Sequence, residues 1–195
     1  MRSFFEEQYG YKGFYLDVGA YHPYRFSNTM YFYQNGWSGI NIEPSPDAMK
    51  LFEQHRKRDI NLNVGIADKE SQMTYYCFDE PALNSFSKEL SYERMKKNGY
   101  HITAEIPVNV FPLSKILSQH LPSNQKIDFM SVDCEGLDLQ VLQSNDWNKY
   151  SPDYLLVESI SEGIEETLND PIYSFVKALG YKLTAKTLRT LIFKK

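Results

Sequence analysis

Gly13-Phe14-Tyr15-Leu16-Asp17-Val18-Gly19-Ala20 and Gly39-Ile40-Asn41-Ile42-Glu43-Pro44 decide how this chain folds. Each is a short apolar run closed by an acid and a chain-turning residue, the pattern of a buried strand ending in a tight turn. Between them, Ser27 can cap a helix running to about residue 34. Asn35-Gly36 stops it, since glycine best takes the left-handed position after a helix. Helical spacing follows over residues 47–58, with Met49 and Phe52 inward, and a third strand is predicted over 60–67. Strand, helix, strand, helix, strand is the alternation that builds a parallel sheet with helices on both faces.

Working outward, strands are predicted over 73–78 and 106–111, with helices over 87–97 and 113–121. The alternation recovers with a strand over 127–132, a helix from 137, a strand over 154–158 and a helix over 172–179 ended by Gly180. Residues 181–185 and 190–193 read as an antiparallel pair. With a leader over 1–12 and an irregular insert over 79–101, the 195 residues make one domain. The expected fold is α/β, a Rossmann-like sheet of seven strands, mostly parallel, with a C-terminal antiparallel hairpin.

Composition narrows the function. Hydrophobic residues at 42% and charged residues at 24% fit a folded globular chain. The formal charge of −4 argues against nucleic acid as a partner, because neutralising phosphates drives that binding. No apolar run is long enough for a membrane span, and no signal-peptide pattern opens the sequence. Two cysteines, Cys77 and Cys134, are too few for a disulfide framework. The expected location is cytoplasmic. Glu158, Glu162, Glu165, Glu166 and Asp170 form an acidic segment, and residues 177–195 carry no acid. These are either a docking surface or two solvated faces.

Three constellations carry chemistry. In Asp17-Val18-Gly19-Ala20-Tyr21-His22-Pro23, Tyr21 stands where a dinucleotide fold would need its second glycine. A terminal acid followed by glycine suits S-adenosylmethionine better, because that cofactor lacks a phosphate and carries an ammonium group. A plain strand-to-helix turn also fits this motif. Glu43, at the tip of the neighbouring strand, is placed to accept ribose hydroxyls, or else to cap the helix ahead of it. The third is Val132-Asp133-Cys134-Glu135-Gly136-Leu137-Asp138. There Asp133 is the candidate catalytic acid, while Glu135 and Asp138 suit the first turn of the following helix. Asp17, Glu43, Asp133 and Glu158 thus share strand ends. Asp133 with Glu158 offers a hard oxygen pair for Mg²⁺, or an acidic rim without metal.

These blocks, with Ser27-Asn28-Thr29, Gly36-Trp37-Ser38, Asn63-Val64-Gly65-Ile66-Ala67-Asp68 and Ile127-Asp128-Phe129-Met130-Ser131 in the same order, resemble the FkbM family of S-adenosylmethionine-dependent O-methyltransferases. That family is associated with polyketides and glycans. The resemblance implies that Asp17, Gly19 and Ala20 line the methionine half of the cofactor and that Glu43 takes the ribose. It puts Gly65 and Ile66 beside the adenine. His22-Pro23 departs from the small residues usual after the first turn, and Leu113-Ser114-Lys115 from the usual Leu-Asp-Asp. His22 is either the base that takes the acceptor proton or a residue that orders the turn. Asn84-Ser85-Phe86-Ser87 opens the insert, where loops over such a crevice select substrate.

The reading is therefore O-methylation of a hydroxyl on a glycan, such as a polysaccharide, or on a small-molecule natural product. With no separate substrate domain, the acceptor is either small or bound partly by a second subunit in a homo-oligomer. The alternatives are a nicotinamide-dependent sugar-modifying enzyme and a cofactor-binding module without catalysis.

Overall fold

Phe14–Val18 (β1) is buried at every position, as expected for a strand covered on both faces. The computed structural model describes residues 4, 5, 10–161 and 163–195. Most of the leader (1–3 and 6–9) and Glu162 of the acidic segment lie outside the described residues. In chain order after β1 come α1 (Met30–Gln34), β2 (Ser38–Ile42), α2 (Pro46–His55), β3 (Ile60–Leu62) and β4 (Gly65–Ile66). Then follow β5 (Ser71–Phe78), α3 (Lys88–Asn98), β6 (Ile102–Phe111), α4 (Leu113–His120), β7 (Phe129–Val132) and α5 (Asp138–Gln143). The last elements are β8 (Tyr154–Glu158), α6 (Ile164–Thr167), α7 (Pro171–Ala178), β9 (Lys182–Lys186) and β10 (Thr190–Lys194).

The main sheet has seven strands in the order β3-β2-β1-β7-β8-β10-β9. β1 runs parallel to β2 and to β7, β2 to β3, and β7 to β8. β10 is antiparallel to both its neighbours and is the one reversed strand of this sheet. Strand order changes direction between β1 and β7, and in open parallel sheets such a switch leaves a crevice at the carboxyl ends of the strands. Asp17 and Asp133 therefore stand on either side of it.

Residues alternate along β1. Leu16 and Val18 join Ile40, Ile42, Met130, Val132, Leu117 and Leu142 in one layer, under α4, α5 and α7. Tyr15 faces the other way, with Phe32, Trp37, Phe129, Tyr154 and Ile192. This layer is mostly aromatic: the Phe32 ring lies 4.7 Å from Phe129 and 4.9 Å from Trp37. Below Tyr15, the fully buried Arg56 donates 3.1 Å to the Tyr15 hydroxyl and lies 3.7 Å from Asp59.

The fold differs from the sequence expectation at several points. The strand foreseen over 60–67 is broken at Asn63, whose side-chain amide donates to the carbonyls of Glu43 and Pro44 at 2.8 and 2.9 Å. Its second half, β4, leaves the main sheet and pairs with β6 in a three-stranded sheet of order β4-β6-β5. The insert is then the connection of the β5–β6 hairpin. Its helix α3 starts on Ser87, whose hydroxyl accepts from Leu90 N–H. Asp170 is no docking charge: it is buried, caps α7 through Ile172 N–H, and accepts from the Ser161 hydroxyl at 2.8 Å.

Candidate functional site

The β1 and β7 turns press on each other at the switch point. Gly19 has φ +77°, and a Cβ there would come within 1.8 Å of the Asp133 carbonyl oxygen. Both reasons demand glycine. Gly19→Ala is expected to destabilise the protein by about 2–4 kcal/mol, measured by chemical denaturation; an unchanged midpoint would mean the two turns are not in contact. The N–H groups of Gly19 and Ala20 both point at the Ile42 carbonyl, at 3.0 and 3.1 Å, which ties the turn to β2.

A cavity of about 240 Å³ opens there. Its walls come from the β1 turn (Asp17 to Tyr21, with Phe26 and Asn28), the β2 tip (Glu43), β4 (Gly65, Ile66), and the β7 turn (Asp133 to Glu135). Six of the residues expected to hold a cofactor, Asp17, Gly19, Ala20, Glu43, Gly65 and Ile66, thus line one space together with Asp133. Glu158 is not part of this wall, and neither is His22, which lines a neighbouring hollow with Arg25 and Cys77. The His22 Nδ1 accepts the N–H groups of Tyr24 and Arg25 at 3.1 and 3.0 Å, so the ring orders the turn. Partial burial, then Arg25 and His55, hold its pKa below the usual histidine value.

Nothing in the sequence marks Tyr75 as a site residue, and Phe86 is marked only by its place in the loop that opens the insert. Tyr75 (β5) is buried, its ring 4.7 Å from that of Phe86, and both line the cavity at the Gly65 end. A Cβ on Gly65 would meet the Phe86 ring at 2.5 Å, so glycine lets the insert close down on β4. Asn84 and Ser85 also reach the cavity; the Asn84 side-chain oxygen accepts from Phe78 N–H at 2.7 Å. No local signal separates Tyr75 from an ordinary core aromatic.

The acids divide by environment. Asp17 and Glu43 are each 4% exposed. Burial pushes Asp17 up to about 6, against the pull of the Thr29 hydroxyl, which donates to it at 2.9 Å, and of Arg56. Burial likewise pushes Glu43 up to about 7, although its two oxygens accept from Ser45 N–H and Tyr21 N–H, each at 2.8 Å. Neither acid has a cation in salt-bridge contact among the described residues. Two buried carboxyls without counter-ions are costly unless a ligand supplies donors or positive charge.

The third group is different. One oxygen each of Asp133, Asp138 and Glu158 lies within 4.8 Å of the others. Asp133 is exposed at the crevice mouth and Glu158 is half-buried. Crowding by protein raises both carboxyls, the neighbouring acids raise them further, and they share a hydrogen bond. Asp138 is already committed, accepting from the N–H groups of Cys134 (2.8 Å) and Gly136 (3.3 Å) within its own turn. Glu135 does not cap α5 as the sequence suggested. It reaches away, at φ +49°, to pair with Arg94 of α3, while its carbonyl accepts from the Ser85 hydroxyl at 2.9 Å. The insert is thereby clamped to the β7 turn.

The model of a family described as the methyltransferase FkbM domain matches residues 17–183. Among solved structures, methyltransferase FkbM from Methylobacillus flagellatus KT is similar, with a TM-score of 0.53 at 11% identity. The match covers 95% of this chain and 44% of that one, so the chain spans less than half of that protein's length. At this identity the likeness concerns the fold. No curated relative matches the sequence. Among the described residues no helix is long and apolar enough to cross a membrane.

Proposed function

Because the chain belongs to the FkbM methyltransferase family, a family whose activity implies S-adenosylmethionine as methyl donor, we propose that it O-methylates a hydroxyl group on a glycan or small-molecule natural product. Family membership sets aside the nicotinamide alternative. The observation that carries the proposal is the pair of buried carboxyls, Asp17 and Glu43, at two adjacent strand tips in one cavity without counter-ions in contact. The donor fits that wall chemically: its ribose hydroxyls are donors for Glu43, its ammonium group is a cation for Asp17, and Gly65, Ile66, Tyr75 and Phe86 form an apolar slot suited to adenine.

When bound, S-adenosylmethionine supplies an electrophilic methyl on a sulfonium that is already a good leaving group. What remains for the protein is to hold the acceptor oxygen in line and remove its proton. Asp133 stands at the crevice mouth for the second task. Burial and the neighbouring acids raise both carboxyls, Asp133 and Glu158, which favours uptake of a proton by the pair. A second reading makes the same two acids ligands of Mg²⁺, favoured by the close approach of their oxygens. His22 is the reserve base, though its Nδ1 is committed to the turn.

The test is transfer of a tritiated methyl group from the cofactor to a panel of methyl glycosides, simple phenols, carboxylic acids and amines. O-Methylation leaves the label as an ether that survives mild alkali. Label released as methanol would mean a carboxyl acceptor, and label fixed on nitrogen would mean an amine; either result would contradict the proposal.

A further inference from the structure

The loop from β1 to α1 holds a large apolar ring out in solvent. Phe26 is 75% exposed and has φ +55°, the left-handed region, where a bulky side chain is a strained outlier. Tyr21, earlier in the same loop, has φ +56°. This is not a slack segment. The buried Arg56 donates from Nε and Nη2 to the Pro23 carbonyl (3.2 and 2.8 Å) and from Nη2 to the Ser27 hydroxyl (2.9 Å). Asn28 donates to the Ser131 hydroxyl at 3.0 Å. The loop is tied down on both sides of Phe26, and strain that surrounding structure enforces is a pointer to function.

Phe26 lines the cavity together with Asp17, Asn28 and Asp133. Its ring lies nearly parallel to that of Tyr21, 6.4 Å away at 21°. Arg25 lies against both, its Cζ 4.9 Å from the Phe26 centroid and 5.8 Å from that of Tyr21. Arg25 is also paired at 3.0 Å with Glu80 of the insert. An aromatic face is electron-rich, so it suits the polarised C–H face of a sugar ring. The polar groups beside it, Arg25, Glu80 and Asn28, suit the hydroxyls at the sugar's edge. A flat aromatic acceptor would instead call for apolar walls on both of its faces.

We propose that Phe26, flanked by Arg25 and Tyr21, is the platform on which a sugar ring of the acceptor stacks, and so is a specificity-determining residue. The proposal rests on the methyltransferase reading of the cavity and narrows its acceptor to a carbohydrate. Glycine adopts φ +55° without strain, a gain that offsets the exposed ring's contacts with Tyr21 and Arg25.

The experiment is saturation-transfer NMR on the protein with excess S-adenosylhomocysteine, using methyl α-D-glucopyranoside, methyl α-D-mannopyranoside and catechol as probes. The same samples are titrated calorimetrically with S-adenosylhomocysteine. Ring C–H protons of at least one glycoside should be saturated in the wild type. The signal should fall at least fivefold in Phe26→Ala and in Phe26→Gly and return in Phe26→Trp. S-adenosylhomocysteine affinity should stay within twofold, and Phe26→Gly should not lower the melting temperature. Four results would overturn the proposal: no glycoside signal although the nucleoside binds, an undiminished signal in the variants, a preference for catechol, or loss of nucleoside affinity in Phe26→Ala, which would make the ring a cofactor wall. Failure of the wild type to bind S-adenosylhomocysteine would instead overturn the underlying reading of the cavity, and this proposal with it.

Discussion

Replacing Glu43 by alanine is expected to weaken S-adenosylmethionine binding by roughly 10²–10⁴-fold. Two hydroxyl bonds to an ionised carboxylate are worth about 1.5–3 kcal/mol each, and their loss adds in the same direction. The variant also strands the N–H groups of Tyr21 and Ser45 that Glu43 now satisfies, so the turn above the cavity loosens as well. Calorimetry reads the affinity directly, and unchanged binding would put the ribose elsewhere. The same residue sets a pH dependence of two signs. Burial raises its pKa to about 7 in the folded protein. In the unliganded protein the stability Glu43 contributes is therefore full below about 4.5, its unfolded value, and is lost as pH rises through about 7. The loss is up to about 3 kcal/mol, since one pKa unit is 1.36 kcal/mol. Asp17, raised to about 6, acts in the same sense. Hydroxyl donors favour the ionised form, so cofactor affinity should climb over the pH range in which unliganded stability falls. Melting temperature and affinity measured at pH 5, 6, 7 and 8 check both slopes; Glu43→Gln should make both shallower and leave the part due to Asp17.

Asp133→Asn is expected to lower the transfer rate by about 10²–10⁴-fold, the range general-base groups contribute. Its melting temperature should be unchanged or higher. Asp133 is exposed at the crevice mouth and repelled by Glu158, Glu135 and Asp138, so the fold gains nothing from its charge. If the pair holds Mg²⁺, activity falls with EDTA, returns with added Mg²⁺, and falls alike in Glu158→Gln. If Asp133 acts as a base, chelation changes nothing. Full activity in Asp133→Asn would end both versions and move the proton to His22.

How much of this was legible depended on whether the cause was local. β1, β7 and β8 are short apolar runs bounded by glycine or acids, and each was readable because burial on both faces leaves no alternation to confuse. The acids at their tips were readable for the same reason. The break at Asn63 was not, because it is made by side-chain bonds to the carbonyls of Glu43 and Pro44 in another segment. Nor was the second sheet, whose strands β5 and β6 find each other across the whole insert. Within the site, Gly19, Glu43 and Asp133 followed from strand ends and turn chemistry. Tyr75 and the Arg94 clamp on Glu135 depend on where the insert lands. The left-handed backbone at Phe26 depends on a loop pinned by Arg56, distant in sequence. Such features become visible only once the chain is folded.

The central claim is that the cavity between the β1 and β7 turns is built for S-adenosylmethionine. It is tested most directly by titrating the wild-type protein in a calorimeter with S-adenosylmethionine and, separately, with NAD. The account predicts saturable one-to-one binding of the first and no heat from the second. Binding of NAD, or no binding of S-adenosylmethionine, would contradict it.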